Sequence, residues 1–592
     1  AFERQVARTP EAIALVYEGK RWSYRQINDE ANRLAHWLVR KEMGPGSLVG
    51  IFLERSPAVV IALLGVLKAG AAYVPLDAAY PLERIKLMLD DAAVASVITN
   101  SGLQPKLPAE IRNLVVLDKN EELGRESPTN IDRSTSSDQR AYVIYTSGST
   151  GAPKGVEGTH RASMNRFSWM WRTYPFKSDD VCCQKTSLGF VDSIWEIFGP
   201  LLAGVPNVII PQDAVRDPEL LLQTLGRERV TRIVLVPSQL RALLEHAPNL
   251  KDRVPHLKFW SCSGEVLPVD VAKRFRAAFP EAKMLNIYGS SEVAADATCH
   301  EVGEQDLFSS VGIGKPISNT QVYLVDECSN AVPIGIRGEI YIGGDGLARG
   351  YLNRLELTAE RFVENWLVPG TGSRLYRTGD LGRYRSNGEI EYLGRVDSQI
   401  KLRGVRIELG EIESVLAGHP AVREAVVTVS GEAEQQKLAA YLVGQGASQL
   451  PDAAELRRYL RTKLPEHMVP ASYWQIEKVP LLPSGKVNRA ALASCAGKRL
   501  EDGQDWAGPR NESEGQLAEI WRELLKVEAV GREQNFFELG GHSLLVLQMT
   551  ARIRRTMEVE LPVRSVFESP TIAALAREVE QARALGLKAP TP

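Results

Sequence analysis

Cysteine is scarce in this chain. The 592 residues include six (Cys182, Cys183, Cys262, Cys299, Cys328 and Cys495). None stands in a Cys-x-x-Cys pair, which argues against a zinc ribbon or a disulfide framework and makes a reducing cytoplasm the expected compartment. An excess of one charge is also missing. The formal net charge of -2 gives no reason to expect nucleic acid or an acidic membrane surface as a partner. No apolar run is long enough to span a bilayer, and no signal-peptide pattern opens the chain. Long internal repeats and low-complexity tracts are absent. What is present is ordinary for a soluble globular protein, with 44% hydrophobic and 24% charged residues. The length implies three or more domains. The first residue is Ala1 rather than Met, so a segment of a longer chain is expected.

The hydrophobic pattern changes along the chain. Up to about residue 395, short apolar strand-like runs (48–53, 71–76, 94–99, 233–236) alternate with helical patterns, which argues α/β layers. From about 397 to 495 the pattern is shorter, with strands expected at 425–429 and 438–443, enough for a small α/β lobe. Residues 496–512 are polar and rich in Gly, Asp and Glu, as in a linker. From 513 the spacing is helical: Leu517, Ile520, Trp521, Leu524 and Leu525, then Leu545, Leu547, Met549 and Ile553. The last 70 or so residues read as a small helical bundle. The expected domains are therefore 1–396, 397–495, a linker at 496–512, and 513–585.

The most informative segment is 141–156. A β-branched, aromatic run (Tyr142, Val143, Ile144, Tyr145) predicts a buried strand. It leads into Thr146, Ser147, Gly148, Ser149, Thr150 and Gly151, closed by Lys154 and Gly155. Glycines allow close backbone approach to an anion, hydroxyls and N–H groups donate to phosphate oxygens, and lysine adds a mobile positive charge. The common nucleotide P-loop needs Gly before its Lys and Ser or Thr after it. Here Pro153 precedes Lys154 and Gly155 follows it, so this is a phosphate loop of another class.

That loop resembles the one in adenylate-forming enzymes, and most of all the adenylation domains of nonribosomal peptide synthetases. The resemblance continues in order over residues from about 1 to 580. It implies a large α/β N-terminal lobe of adenylate-forming type, a smaller α/β C-terminal lobe, and an all-α helical-bundle carrier domain. It also implies ATP, Mg²⁺ and phosphopantetheine as cofactors. In Asn286-Ile287-Tyr288-Gly289-Ser290-Ser291-Glu292 the tyrosine ring can stack on a purine, the Asn286 amide can read its edge, and Glu292 can hold Mg²⁺. The family usually has Pro-Thr where Ser290-Ser291 stand, and Ser291 keeps the hydroxyl. Asp380, in Tyr376-Arg377-Thr378-Gly379-Asp380, matches the ribose clamp, helped by Arg395. Gly264 and Glu265 are further nucleotide-site candidates. The motif at 343–351 reads as structural, its glycines making tight turns.

The resemblance makes Asp397 the hinge between the lobes, with the loop at 401–406 serving thioester formation. It makes Lys486, in Leu482-Pro483-Ser484-Gly485-Lys486, the catalytic lysine alongside Thr146, Lys154 and Glu292. An ammonium held where negative charge builds up stabilises the transition state by a few kcal/mol. Ser543, within Glu538-Leu539-Gly540-Gly541-His542-Ser543-Leu544, matches the phosphopantetheine attachment serine and is expected at a helix start. No Gly-x-Ser-x-Gly elbow surrounds it, which argues against a hydrolase nucleophile there.

The acid-binding pocket matches Val191, Asp192, Trp195, Leu235, Ser261, Ser263, Ile287, Ala295 and Asp296. Family members taking α-amino acids carry Phe-Asp-x-Ser, whereas this chain reads Phe190-Val191-Asp192-Ser193. The aspartate is one position further along, which suits an amine one carbon further from the carboxylate. Trp195, Leu235 and Ile287 are expected to fill the pocket floor and favour a small substrate, and Asp296 offers a second carboxylate. The pattern resembles β-alanine-activating members. Another β- or γ-amino acid, or a small α-amino acid, is the alternative, and an acyl-CoA-synthetase-like ligase is the more distant one. Expected partners are the amino acid, a phosphopantetheinyl transferase and neighbouring synthetase domains such as condensation domains, with no nucleic acid or membrane. A monomer is expected.

Overall fold

A computed structural model gives the fold. It describes residues 1–111, 113–148, 151–308, 310–397, 399–402, 404–431, 436–445, 450–481, 487–492, 497–500, 507–525, 527, 529–537, 539, 541 and 543–584, the side chains of 216, 308, 490, 543, 544, 547, 551, 563 and 567 apart. The chain divides into two compact units, 1–411 and 412–592.

The first unit is layered α/β. Among the described residues it holds a nine-stranded sheet, a six-stranded sheet, a five-stranded sheet and a two-stranded hairpin. The six-stranded sheet runs in the order Leu114–Val116, Ser96–Thr99, Leu48–Ile51, Ala72–Pro75, Arg140–Thr146, Lys154–Thr159. Its last pair is antiparallel with Thr146 opposite Lys154, so the phosphate loop is the turn between them. In the nine-stranded sheet Arg232–Leu235, Phe259–Cys262 and Lys283–Tyr288 are parallel neighbours. Thr298–Glu301 returns antiparallel to Lys283–Tyr288, with Tyr288 opposite Thr298. The segment carrying Glu292 and Asp296 is the connection between those two strands.

Strand alternation sorts side chains onto two faces. Val234, Phe259, Leu285 and Ile287 join one buried cluster with Val191, Trp195 and Ala295. Leu235, Trp260, Cys262 and Met284 join another, on the opposite face. The five-stranded sheet supplies Arg374–Tyr384 and Ile390–Arg395, antiparallel, with Asp380 directly opposite Arg395. The hairpin Gln399–Leu402 and Val405–Glu408 belongs to the first unit rather than to the small lobe. Side-chain pairing explains this: Arg406 bonds Glu292 and the adjoining Glu411 bonds Arg84.

The second unit contains a sheet of Val422–Ser430, Lys437–Gly444, Ser472–Gln475 and Lys498–Leu500. Lys498–Leu500 pairs with Ser472–Gln475, so the start of the expected linker is an edge strand. Helices Glu512–Leu525, Ser543–Met557, Val563–Glu568 and Ile572–Ala584 enclose a separate core of Leu517, Trp521, Phe536, Met549, Ile553 and Val579. Among the described residues no helix is long and apolar enough to cross a membrane.

Candidate functional site

Glu292 is the best connected carboxylate of the nucleotide region. It is fully buried, and Nη1 of Arg406 donates to both its oxygens at 2.9 and 3.0 Å. The Tyr351 hydroxyl donates to it at 2.9 Å, and Nζ of Lys154 lies 3.6 Å away. Burial opposes ionisation, but the charges of Arg406 and Lys154 outweigh it and hold the carboxyl far below the usual range. Lys154 donates to the Tyr351 hydroxyl at 3.2 Å and stacks its ammonium 4.3 Å from the centre of that ring. Burial first, then the like charge of Arg406, pulls its pKa down to about 8.

The phosphate loop meets the hairpin. Ser147 Oγ donates to the Arg406 carbonyl at 2.9 Å. The Gly148 amide donates to Oε2 of Glu411 at 3.1 Å, while Oε1 of Glu411 takes Arg84 at 2.8 Å. Thr146 Oγ1 is buried without a protein partner. Gly151 has φ +87°, open to glycine at little cost. Ser149 and Thr150 lie outside the described residues.

The ribose-clamp candidate has three side-chain partners among the described residues. Asp380 accepts from Arg395 Nη1 at 2.6 Å, from the Tyr288 hydroxyl at 2.6 Å, and from Tyr392 at 3.4 Å. Arg395 also pairs with Asp397 through Nε at 2.7 Å and Nη2 at 2.8 Å. Burial raises the Asp397 pKa, and the Arg395 contacts more than reverse this. Gly289 must be glycine, since a Cβ there would lie 1.9 Å from the Ala295 carbonyl oxygen. Ala294 and Ala295 take φ of 53° and 77°, a strained pair beside the site.

Two of the acid-pocket candidates, Asp192 and Asp296, form a cluster of three charges with Arg166. Arg166 reaches out of helix His160–Thr173 and donates through Nε to Asp296 Oδ2 at 2.5 Å. Its Nη2 lies 3.4 Å from Asp192 Oδ1, and its guanidinium stands 5.7 Å from the centre of the Trp195 ring. Arg166 Nη1 and Asp296 Oδ1 are buried without a protein partner. Burial raises the Asp296 pKa to about 6, with Arg166 opposing and Asp192 adding to the rise. Val191 precedes helix Asp192–Leu201 and is packed in the core, whereas Asp192 is only half-buried.

A family model described as AMP-binding enzyme matches residues 2–352. The chain belongs to the AMP-binding enzymes. The AMP-binding enzyme C-terminal domain matches 411–486, and the phosphopantetheine attachment site matches 515–579. Tyrocidine synthase 3 of Brevibacillus parabrevis is 42% identical over 98% of this chain and 9% of that protein. Gramicidin S synthase 2 of Aneurinibacillus migulanus is 41% identical over 98% of this chain and 13% of that protein. The chain thus spans only a small part of the length of these relatives. A solved structure of a holo NRPS protein containing adenylation and PCP domains, bound to a vinylsulfonamide inhibitor, shares 26% identity. Its TM-score is 0.81, covering 98% of this chain and 96% of that one. The chain is an adenylate-forming ligase, a nonribosomal-peptide-synthetase adenylation domain that uses ATP, with a phosphopantetheine carrier domain.

Within this adenylation domain, Thr146 faces Lys154, Lys154 reaches Glu292, and Asp380 faces Arg395. Three expectations change. Leu235 packs with Trp260 and Cys262 behind the sheet, away from Trp195 and Ile287, because its neighbour Val234 takes the pocket-side phase of the strand. The Asn286 amide is engaged, donating to the Gly312 carbonyl at 2.8 Å. Glu265 accepts from the Ser238 amide at 2.8 Å and hydroxyl at 3.0 Å, holding the start of helix Pro237–His246. Ser261 and Ser263 are buried, Gly264 has φ +82°, and Ser291 opens a short 3-10 turn with Glu292.

Sequence reasoning does not reach Arg166 or the role of Tyr351. Arg166 shares a helix stripe with Ser163, Phe167 and Met170, all buried; a charge at a core-facing helical position is the available signal. Tyr351 ends the glycine motif read as structural. Lys486 lies outside the described residues, although Leu481 and Val487 on either side are bridged. Ser543 is the first residue of helix Ser543–Met557. A Cβ on Gly541 would meet the Phe536 ring at 2.2 Å, which explains that glycine of the carrier motif.

Proposed function

We propose that this chain joins the carboxylate of a small amino acid to the α-phosphate of ATP, and that β-alanine is the favoured acid. The aminoacyl group then passes to the phosphopantetheine thiol on Ser543. The supporting observation is the pair of carboxylates, Asp192 and Asp296, around one guanidinium beside Trp195. A substrate ammonium buried without a counter-charge would be costly, and this cluster supplies the counter-charge. The position of Asp192, one residue later than in α-amino-acid pockets, favours an amine displaced by one carbon.

In the first step a substrate carboxylate oxygen attacks the α-phosphorus and pyrophosphate leaves. The phosphate loop and Lys154 hold the phosphate oxygens, Asp380 takes the ribose hydroxyls, and Lys486 neutralises charge at the reacting phosphate. Glu292 fits a cation, since a guanidinium already sits on both its oxygens. It would hold Mg²⁺ with the ATP phosphates, and the ion would neutralise phosphate charge. In the second step the thiol sulfur attacks the acyl carbon, AMP leaves with the bonding pair, and the thiol proton goes to solvent.

The domains are taken as a large lobe at 1–396 with the hairpin at 399–408 grouped with it, a hinge at Asp397, a small lobe over the rest of 397–495, a linker at 496–512 that opens on the edge strand Lys498–Leu500, and a carrier at 513–585. A phosphopantetheinyl transferase and condensation domains are the partners. Intact-protein mass spectrometry of the pantetheinylated chain with ATP, Mg²⁺ and single amino acids tests the reading. The panel is β-alanine, glycine, alanine, serine and γ-aminobutyrate. A β-alanyl adduct that Ser543→Ala abolishes is expected. Loading by alanine with β-alanine inert overturns the substrate, and no loading by any acid overturns the activity.

A further inference from the structure

We infer that Arg166 is the specificity-determining residue of the acid pocket: wedged between Asp192 and Asp296, it leaves one carboxylate uncompensated and so limits the pocket to acids bearing a single ammonium group. This rests on the proposed function and names the class of acid more closely.

The geometry carries it in three ways. First, the guanidinium is nearly fully buried, with contacts to both carboxylates, 2.5 Å to Asp296 and 3.4 Å to Asp192. An arginine cannot lose its charge in such a place, so it cancels one negative charge permanently. Second, the cluster is unfinished. Arg166 Nη1 lacks an acceptor and Asp296 Oδ1 lacks a donor, both buried. Buried polar groups are rarely left so, and an ammonium would satisfy Asp296. Third, the Trp195 ring lies against the guanidinium at 5.7 Å and stacks on Phe176 at 6.2 Å, which leaves the arginine little room to swing aside.

The groups facing Asp296 are Arg166 from helix His160–Thr173, Asp192 from helix Asp192–Leu201, and Cys299 from strand Thr298–Glu301. Lys401, whose pKa is lowered first by burial, is coupled to Asp380 more than to Asp192. Without Arg166, two carboxylates would face each other across the pocket. They would then share a proton, as paired carboxylates do, or take two ammonium groups.

The test is ATP–pyrophosphate exchange on the whole chain with β-alanine and 2,3-diaminopropionate, from pH 5.5 to 8.5. Wild type is expected to prefer the monoamine. Arg166→Gln should narrow that preference at least tenfold and move the acid limb of kcat/KM for β-alanine up by one pH unit or more, and Arg166→Lys should restore both. If Arg166→Gln does not fold, the pair Arg166→Gln with Asp296→Asn, which removes one charge of each sign, should keep the monoamine preference. A folded Arg166→Gln with wild-type preference and wild-type pH limb overturns the inference. So does a double variant that prefers the diamine. A wild type inert with every amino acid instead sinks the proposed function, which keeps the two failures apart.

Discussion

Glu292 and Asp296 stand four residues apart on one connection, both fully buried, yet their environments drive them in opposite directions. Glu292 faces two cations and a tyrosine hydroxyl and is held ionised. Asp296 faces one cation and a competing carboxylate, and its pKa rises to about 6. Burial is common to both, so the local charge count decides. One is held anionic by the cations around it. The other is pushed toward its neutral form.

The largest effect is expected from Glu292→Gln. It leaves Arg406 and Lys154 without their anion, and exchange should fall by about 10²–10³-fold for every amino acid, measured at saturating substrate. Next, Asp296→Asn should cut kcat/KM for β-alanine by about 10²-fold, the cost of removing one partner of a buried charge pair, while the KM for ATP is unchanged. Loss of equal size on the ATP side would erase the contrast between the two carboxylates.

A pH profile sharpens it further. The folded pKa of Asp296 lies above its ordinary value of 3.8, so its charge is lost as pH falls through about 6. Below that point kcat/KM for the amino acid should drop about tenfold per pH unit, with Glu292 giving no limb in the range. The same sign means that Asp296 favours folding on the acid side. Between 3.8 and about 6 the folded chain binds more protons than the unfolded one, so this group's contribution to stability declines as pH rises. Smallest, Tyr351→Phe removes a hydroxyl shared by Lys154 and Glu292 and should slow exchange by about tenfold or less, measured beside an unchanged melting temperature.

The two carboxylates also differ in how well the sequence announces them. Glu292 sits in a motif that the resemblance to adenylate-forming enzymes picks out, as do Asp380 and its partner Arg395. The change from α/β layers to a helical carrier is likewise legible in hydrophobic period. Asp296 is visible as a second carboxylate, but its partner Arg166 is 130 residues away, and local patterns do not encode such pairing. Leu235 lies on the other face because counting along a motif does not fix the phase of a pleated strand, where one residue's shift reverses the side chain. Order along the chain would give the hairpin at 399–408 to the small lobe. Its allegiance is set by tertiary ion pairs, Arg406 with Glu292 and Glu411 with Arg84.

Those last contacts bear on how a nucleotide enters. The Gly148 amide, part of the loop that should cradle phosphate, already holds the carboxylate of Glu411 at 3.1 Å. A phosphate bound at that amide would have to displace this internal anion, which no dilution can remove. Its apparent affinity is the intrinsic one reduced by the fraction of molecules in which Glu411 has let go. Such an occupied amide weakens the hold on any anion placed there without changing the hyperbolic shape of its binding curve.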